Sequence, residues 1–415
     1  MSRGRAVVVG AGVVGTSTAF FLQDDGWQVT LVDPLPPGGG TSSGNAGIIS
    51  LGSVLPLSSP KLLAELPSVL LDPTGYVAIR WAYLPSLLPF LVRFALAARP
   101  STVARSSEAL SSLVSRAGAA HDVLIQRCGL GDLVRTGGWL KVAATKEGML
   151  ADTARERAAY DRVGIPYELL NGPEIRELEP ALSPDLDGGL LLPMNRAVRE
   201  PRRYVEGIAA SFLARGGTCL SARAQGFSGQ GRIAAVVTDK GLLPTDLAVL
   251  ATGAMGRRLV ADAGLRLPLE AERGYHLMLP HPEPTLRRPV YSIDGGFVLA
   301  PMEGGVRLTG GVELASPTAP PDYRRVHRLL PIARRIVPGL GETVTSEWQG
   351  CRPTLPDSLP VLGPVPGRSN LLLAFGHQHI GLTLGPLTGR LVADMAAGRD
   401  PGLDLTSLAP TRRFW

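Results

Sequence analysis

Cysteine is scarce. Cys128, Cys219 and Cys351 stand far apart in 415 residues and form no C-x-x-C pair. That spacing argues against a disulfide framework and against a cysteine zinc site. Runs of one charge are missing too. The net charge is +6, yet the Lys and Arg residues are scattered and no nucleic-acid motif appears, so the excess reads as solubility or attraction to an anionic surface. Despite 50 glycines and 36 prolines there is no collagen-like period, low-complexity block or internal repeat. With 45% hydrophobic and 19% charged residues, wholesale disorder is excluded and a sizeable core is expected. The chain opens M-S-R-G-R and runs straight into a strand pattern, without a separate apolar region and cleavage site. A reducing, cytoplasmic setting is expected.

No apolar run is free of breakers. Trp81 to Ala98 comes nearest, but it carries Pro85, Pro89 and Arg93 and is at the short limit for a span. It reads as a pair of buried helices. The other reading is an apolar surface resting on the inner face of a membrane without crossing it.

What is there begins at residue 6. The run AVVV leads into G-A-G-V-V-G at 10–15, a helical stretch to Gly26, and a second strand ending at Asp33. This is a βαβ unit of about 30 residues. Gly10 permits the tight turn, Gly12 admits a pyrophosphate to the backbone, and Gly15 lets helix and strand pack. The helix start, with Ala11, Val13 and Val14, offers N–H groups to phosphate. Asp33 is placed to accept from ribose hydroxyls and disfavours a 2′-phosphate.

Downstream, 61–128 looks mostly helical, 137–144 is a strand, and 147–163 and 201–215 are helices. Short strands recur at 232–238 and 247–251. Runs at 275–279, 289–293, 296–300 and 306–310 suggest an antiparallel sheet. Helix returns at 322–336, and the chain closes with a strand at 370–375 and a helix at 383–397. The fold class is α/β (α+β overall): a nucleotide-binding domain interrupted by an antiparallel or mixed-sheet domain.

The motifs GAGVVG at 10–15, TSSGNAG at 41–47, ATGAMG at 251–256, RGYHL at 273–277, RPTLPDSLPVLGP at 352–364 and the 376–395 segment together resemble the FAD-dependent D-amino acid oxidase superfamily. The resemblance spans nearly the whole chain and is nearest to the bacterial D-amino acid dehydrogenase branch. The RRFW ending is similar to that group as well. The G-H-Q-H-I-G-L-T variant is more similar to enzymes acting on D-hydroxyproline and related cyclic amino acids.

The resemblance implies a Rossmann-like FAD domain from 1–55, 195–265 and 345–415. A substrate-binding roof would come from 56–194 and 266–344. It implies non-covalent FAD, held by the 10–15 turn and Asp33, by Thr41, Ser42, Asn45, Ala46, Gly47 and Ile48, by Thr252 and Gly253, and by Gly376, Gly381, Leu382 and Thr383. It implies oxidation of a D-amino acid, D-proline or a hydroxylated D-proline among them, by hydride transfer from the α-carbon to flavin N5. The imine product would become a keto acid or remain a cyclic imine. Arg352 takes the place of the carboxylate-binding arginine.

A planar guanidinium can hold a carboxylate by two parallel bonds; the structural alternative is an ion pair with Asp357. Of His377 and His379, one faces the active site, and His379 stands nearer the helix start. Tyr275 and His276 point to opposite faces of a strand, so one lines the pocket while the other packs. Phe297 is pocket or core. His121, His281 and His327 lie outside the motifs and read as surface. No metal is expected. The electron acceptor is expected to be a quinone or other carrier. Oxygen, as in a glycine or sarcosine oxidase, is one alternative, and a flavin-binding subunit of a larger assembly is another. The oligomeric state stays open.

Overall fold

A computed structural model describes residues 3–60, 62–64 and 77–415. Part of the helical stretch expected from Lys61 lies outside the described residues.

The β-branched run Arg5–Val9 is buried from its second residue onward, which suits a parallel strand covered on both faces. It lies between Gln28–Asp33 and Leu247–Leu250. The six-strand order is Thr218–Ser221, Gln28–Asp33, Arg5–Val9, Leu247–Leu250, Arg368–Phe375 and Val361–Val365. All neighbours are parallel except the last pair. The Val13–Asp24 helix packs on this sheet against the long Gly381–Ala396 helix. Their axes come close because glycine leaves room. A Cβ on Gly389 would sit 2.6 Å from the Ser17 carbonyl carbon, and one on Gly385 would sit 3.0 Å from a Val13 methyl.

The second layer is a nine-stranded mixed sheet. From one edge it runs Ser346–Thr354, Glu270–Leu279, Gly305–Leu314, Phe297–Met302, Val290–Ser292, Trp139–Ala143, Gly188–Leu192 and Glu168–Leu170; Val77–Ile79 joins Gly305–Leu314 in parallel. Ser346–Thr354 falls in a segment expected to belong to the nucleotide-binding domain. It forms the edge of this larger sheet instead. A three-stranded meander from Ala224–Ser228 to Gly241–Pro244 and a small sheet joining Ile48–Ile49, Arg196–Val198 and Val134–Arg135 complete the fold.

Behind the large sheet, Leu277, Leu279, Phe297, Leu299 and Leu308 pack against Val326, Ala333 and Ile336. The helix expected over 322–336 is two short helices, Arg324–His327 and Leu330–Ile336. Pro331 lacks the N–H that a continuous helix would use.

The apolar run starting at Trp81 is not a pair of buried helices. It forms a turn at Trp81–Tyr83 and one helix, Leu84–Ala97, joined to Pro100–Arg127 at an 87° bend. Leu87 and Phe90 bury against Leu314. Trp81, Leu88 and Val92 are more than half exposed, at 69%, 55% and 53%. Among the described residues no single helix is long and apolar enough to cross a membrane.

Candidate active site

The nucleotide turn divides its glycines by task. Gly10 has φ +107°, and a Cβ there would lie 2.4 Å from the Ala251 carbonyl oxygen. A Cβ on Gly15 would lie 1.7 Å from the Gly10 oxygen. Both are packing constraints. Gly12 is different, because an added Cβ would meet only Ser42 Oγ, at 3.1 Å. It opens the Val13–Asp24 helix with no side-chain cap and no acid in the first turn, which suits an anion. Asp33 accepts from the N–H groups of Ala11 and Leu35, each at 2.8 Å. That fixes the carboxylate at the end of its strand, and each oxygen keeps a lone pair for a ribose hydroxyl.

The loop after Asp33 is tied down from two sides. Arg307 Nη1 donates to the carbonyls of Ser43 at 2.9 Å and Asn45 at 2.6 Å. Gly47 N donates to Asn45 Oδ1 at 2.7 Å, and Gly47 has φ +75° with its Cα face against Val198 O. Ile48 then pairs with Ala197. Ser50 N donates to Thr383 Oγ1 at 2.9 Å, joining the loop to the Gly381–Ala396 helix. That helix also starts without a side-chain cap or acid. Ahead of it Gly376 has φ +92° and Gln378, a non-glycine, has φ +49°. A strained turn of this kind is kept where the chain must present a particular edge.

These parts fit a dinucleotide flavin. Two helix starts lack an N-cap side-chain bond and a first-turn acid, Gly12 leaves its Cβ side open, and Thr252 Oγ1 is buried with no hydrogen-bond partner.

One strand gathers the rest. Ser346–Thr354 runs against the turns Thr41–Gly44, Gly253–Gly256 and Gln378–Ile380, and Thr41 Oγ1 donates to Cys351 O at 2.8 Å. Arg352 follows. Its guanidinium lies over Gly274, where a Cβ would be 2.5 Å from Nη2. Nη1 donates to Gly311 O at 3.3 Å. Asp357 does not pair with it; that carboxylate is taken by Arg412 at 2.7 Å.

His379 lies close enough to Arg352 to feel its charge, and its side chain keeps exposed surface. Burial, and then the Arg352 charge, push its pKa down to about 4. His377 is buried, its Nε2 2.8 Å from Thr388 Oγ1, and burial lowers its pKa to about 4. The structure thus puts His379 beside Arg352 and gives His377 to the loop.

Tyr275 and His276 do diverge. His276 stacks on Trp348 with ring centroids 5.1 Å apart and planes at 13°. Its Nδ1 lies 3.2 Å from Gly44 O. Burial and Arg307 lower its pKa to about 3, so the neutral ring donates to that carbonyl. Tyr275 turns to the opposite face, among the core residues behind the sheet. Its hydroxyl donates to Glu313, and its ring meets Tyr323 edge-on at 5.6 Å. Phe297 belongs to the same core.

Gly274 and Gly44 fall inside the RGYHL and TSSGNAG motifs without a role read for them, and no role was read for Glu272 or Trp348. Ring atoms of Trp348 would lie 2.2 Å from a Cβ on Gly44, so that glycine is a contact surface. His121, expected at the surface, is fully buried. Its Nδ1 is 2.9 Å from Tyr204 Oη, and its Nε2 is 3.1 Å from the carbonyls of Leu382 and Thr383. It therefore braces the start of the Gly381–Ala396 helix. The signal was the helical stripe Leu110, Leu113, Ala117, Ala120, Leu124, on which His121 falls. His281 is exposed and His327 half-exposed, as expected.

Burial, the largest cause, lowers the His121 pKa to about 4, against about 6.5 unfolded. The unfolded chain therefore binds the proton first. Stability from His121 is full above pH 6.5 and is lost as pH falls toward 4, by up to about 3 kcal/mol. His121→Phe should be less stable at pH 7 by about 1–3 kcal/mol, since Tyr204 and two carbonyls lose a partner. It should also lose stability less steeply on acidification. Urea unfolding at pH 7 and 4.5 measures both, and an unchanged acid slope would show that His121 does not titrate on unfolding.

Residues 5–395 match the family described as FAD dependent oxidoreductase. The chain is 35% identical to a protein of Bradyrhizobium diazoefficiens named D-amino-acid oxidase, over 99% of this chain and 100% of that one. It is 28% identical to a Mesorhizobium japonicum protein named D-amino acid dehydrogenase 2, over 96% and 98%. Among solved structures it is similar to glycine oxidase from Geobacillus kaustophilus, with TM-score 0.76, 26% identity and 99% of each chain covered. Through the whole length that carries the nucleotide turn, the Arg352 strand and the Gly381–Ala396 helix, the chain belongs to the FAD-dependent oxidoreductase family.

Proposed function

We propose that this protein oxidises a D-amino acid, with D-proline or a hydroxylated D-proline among its better substrates. The observation that carries the reading is Arg352. It is enclosed, held over Gly274 by a single carbonyl, and has no carboxylate in a close ion pair among the described residues. A guanidinium so placed is built to receive a carboxylate through two parallel bonds. The names of the relatives supply the D-amino acid class. Bound FAD supplies the two-electron acceptor for hydride from the α-carbon. Arg352 holds the carboxylate end and the sheet closes the chamber to water. His379, neutral above about pH 4, orients the substrate without adding charge. The product is an imino acid that becomes a keto acid or stays a cyclic imine. A quinone or other carrier takes the electrons. The oxygen-using reading draws on the Bradyrhizobium relative's name, and peroxide formed during aerobic turnover would establish it.

Arg352→Ala should keep fold and FAD but lose roughly 3 kcal/mol of transition-state binding, about a hundredfold in kcat/KM. Arg352→Lys should fall between, since it keeps charge and loses the two-pronged geometry. Stopped-flow reduction by paired enantiomers tests the rest. Faster bleaching by L-proline than by D-proline would sink the D reading, and an unchanged kcat/KM in Arg352→Ala would sink the clamp.

FAD is held without a covalent bond. The one cysteine beside the site, Cys351, is buried, and burial pushes its thiol pKa up, which suppresses the thiolate an attachment would need. Acid precipitation should leave the flavin in the supernatant; yellow colour retained in the pellet would refute this.

The protein is cytoplasmic, with peripheral contact at the inner face of the membrane. Exposed Trp81, Leu88 and Val92 support that contact: Leu88 and Val92 lie one turn apart on the Leu84–Ala97 helix, and Trp81 stands in the turn that leads into it. Carbonate washing should strip the protein from membranes. Retention after the wash would require an inserted segment.

A further inference from the structure

Three glutamates line the wall formed by Glu270–Leu279 and Gly305–Leu314, and two are saturated. Glu270 accepts from Tyr83 Oη at 2.8 Å and pairs with Arg257 at 3.5 Å. Glu313 pairs with Arg80 at 2.7 Å and with Arg273 at 3.0 Å, and it accepts from Tyr275. Glu272 is not. It is 7% exposed and stands opposite Arg352 in the strand register. Its polar neighbours are Arg352 and Thr354, and among the described residues it forms no close ion pair. A buried carboxylate and a half-buried guanidinium therefore sit side by side, each with capacity left over. An amino acid brings both signs, with the opposite order.

We propose that Glu272 is the receiving group for the substrate's amine: Arg352 holds the carboxylate, and Glu272 accepts an N–H bond from the ammonium and then its proton. This deepens the amino acid reading above and rests on it. An ammonium nitrogen has no lone pair with which to form a C=N bond. When Glu272 takes the proton, an N–H bond breaks, an O–H bond forms on the carboxyl, and the nitrogen regains its pair. The α-C–H bond then breaks, its electron pair leaves as hydride to FAD, and the nitrogen pair forms the C=N bond. Glu272 returns the proton to solvent when the product leaves.

The surroundings suit this. Burial raises the proton affinity of Glu272 and the neighbouring Glu270 adds to it, while Arg352 and Thr354 oppose. The other groups facing this space are His379 from the Gln378–Ile380 turn, which is held neutral, and Tyr83 and Arg257, both engaged with Glu270.

The test is Glu272→Gln, a neutral group of the same shape, reduced anaerobically by a D-amino acid that bleaches the wild type. The variant should retain the FAD spectrum. Its flavin reduction should fall roughly a hundredfold at pH 7 and recover about tenfold per pH unit toward the amine pKa, because only substrate already deprotonated in solution can react. Calorimetry with tetrahydrofuran-2-carboxylate, a carboxylate lacking the amine, supplies a second readout. The variant should bind it about tenfold more tightly at pH 8, since no anion then faces the ligand. A merely structural role would weaken that binding. A pH profile matching the wild type, or weaker binding of the amine-free ligand, overturns the proposal. Should Glu272→Gln fail to hold FAD, a pH indicator in weakly buffered wild type decides. No proton should reach solvent before product release; one proton released on substrate binding overturns the assignment. A wild type bleached by no amino acid overturns the amino acid reading and this one together. A bleached wild type with an unaltered variant profile overturns this one alone.

Discussion

A guanidinium removed from water must be held by something, and at Arg352 the holders are a missing side chain and one carbonyl. Gly274 makes room for the planar group, and Gly311 O fixes one nitrogen. Any Cβ at 274 would occupy the guanidinium's place. Because Arg352 lies on an edge strand, the same strand can also touch the turns at Thr41–Gly44, Gly253–Gly256 and Gln378–Ile380. The charge that would anchor the substrate is thereby set at a fixed distance from the parts that would hold the cofactor. An interior strand, flanked on both sides, could not do this.

The two helices over the nucleotide sheet make that distance rigid. Gly385 and Gly389 let the Gly381–Ala396 helix lie against Val13 and Ser17 at backbone contact. The start of one helix is therefore tied to the start of the other. Thr383 and His121 brace the second helix from two further directions, through Ser50 N and through the Leu382 and Thr383 carbonyls. His121 does this as a neutral ring, because burial and the Arg196 charge outweigh the nearby Asp122 carboxylate.

The nucleotide half was legible because its constraints are backbone constraints. A glycine that must hold φ +107°, or that stands where a Cβ would lie 1.7 Å from a carbonyl oxygen, leaves a mark at one position, as at Gly10 and Gly15. Arg352 was picked out by resemblance, through the proline-rich motif that follows it. What stayed hidden depends on pairing. Glu272 and Arg352 are 80 residues apart and meet only through the register of two antiparallel strands. Trp348 reads as an ordinary strand aromatic until Gly44 and His276 are seen beneath it. His121 was misread because a polar residue on an apolar stripe was weighed without its partners. The strand Ser346–Thr354 went unread, and its place beside Glu270–Leu279 could not be found, because a strand's sequence carries its alternation and not its neighbour.

Alternation explains how one strand serves two chemistries. On Glu270–Leu279, Arg273 and Tyr275 point behind the sheet, where Glu313 forms an ion pair with the first and accepts from the second. Glu272, Gly274 and His276 point toward Arg352 and Trp348. The register shift between Arg273 and Tyr275, against Gly305–Leu314, lies where the two sets must be kept apart. Charges behind the sheet are mutually paired, and such a network holds structure but has nothing left to offer a ligand. In front, Glu272 and Arg352 are adjacent and offset each other's burial only in part, and among the described residues they form no close ion pair, which costs stability. That cost can persist only where a bound molecule offsets it. On the proposed reading that molecule carries an anion for Arg352 and a cation for Glu272, the two groups an α-amino acid holds on one carbon.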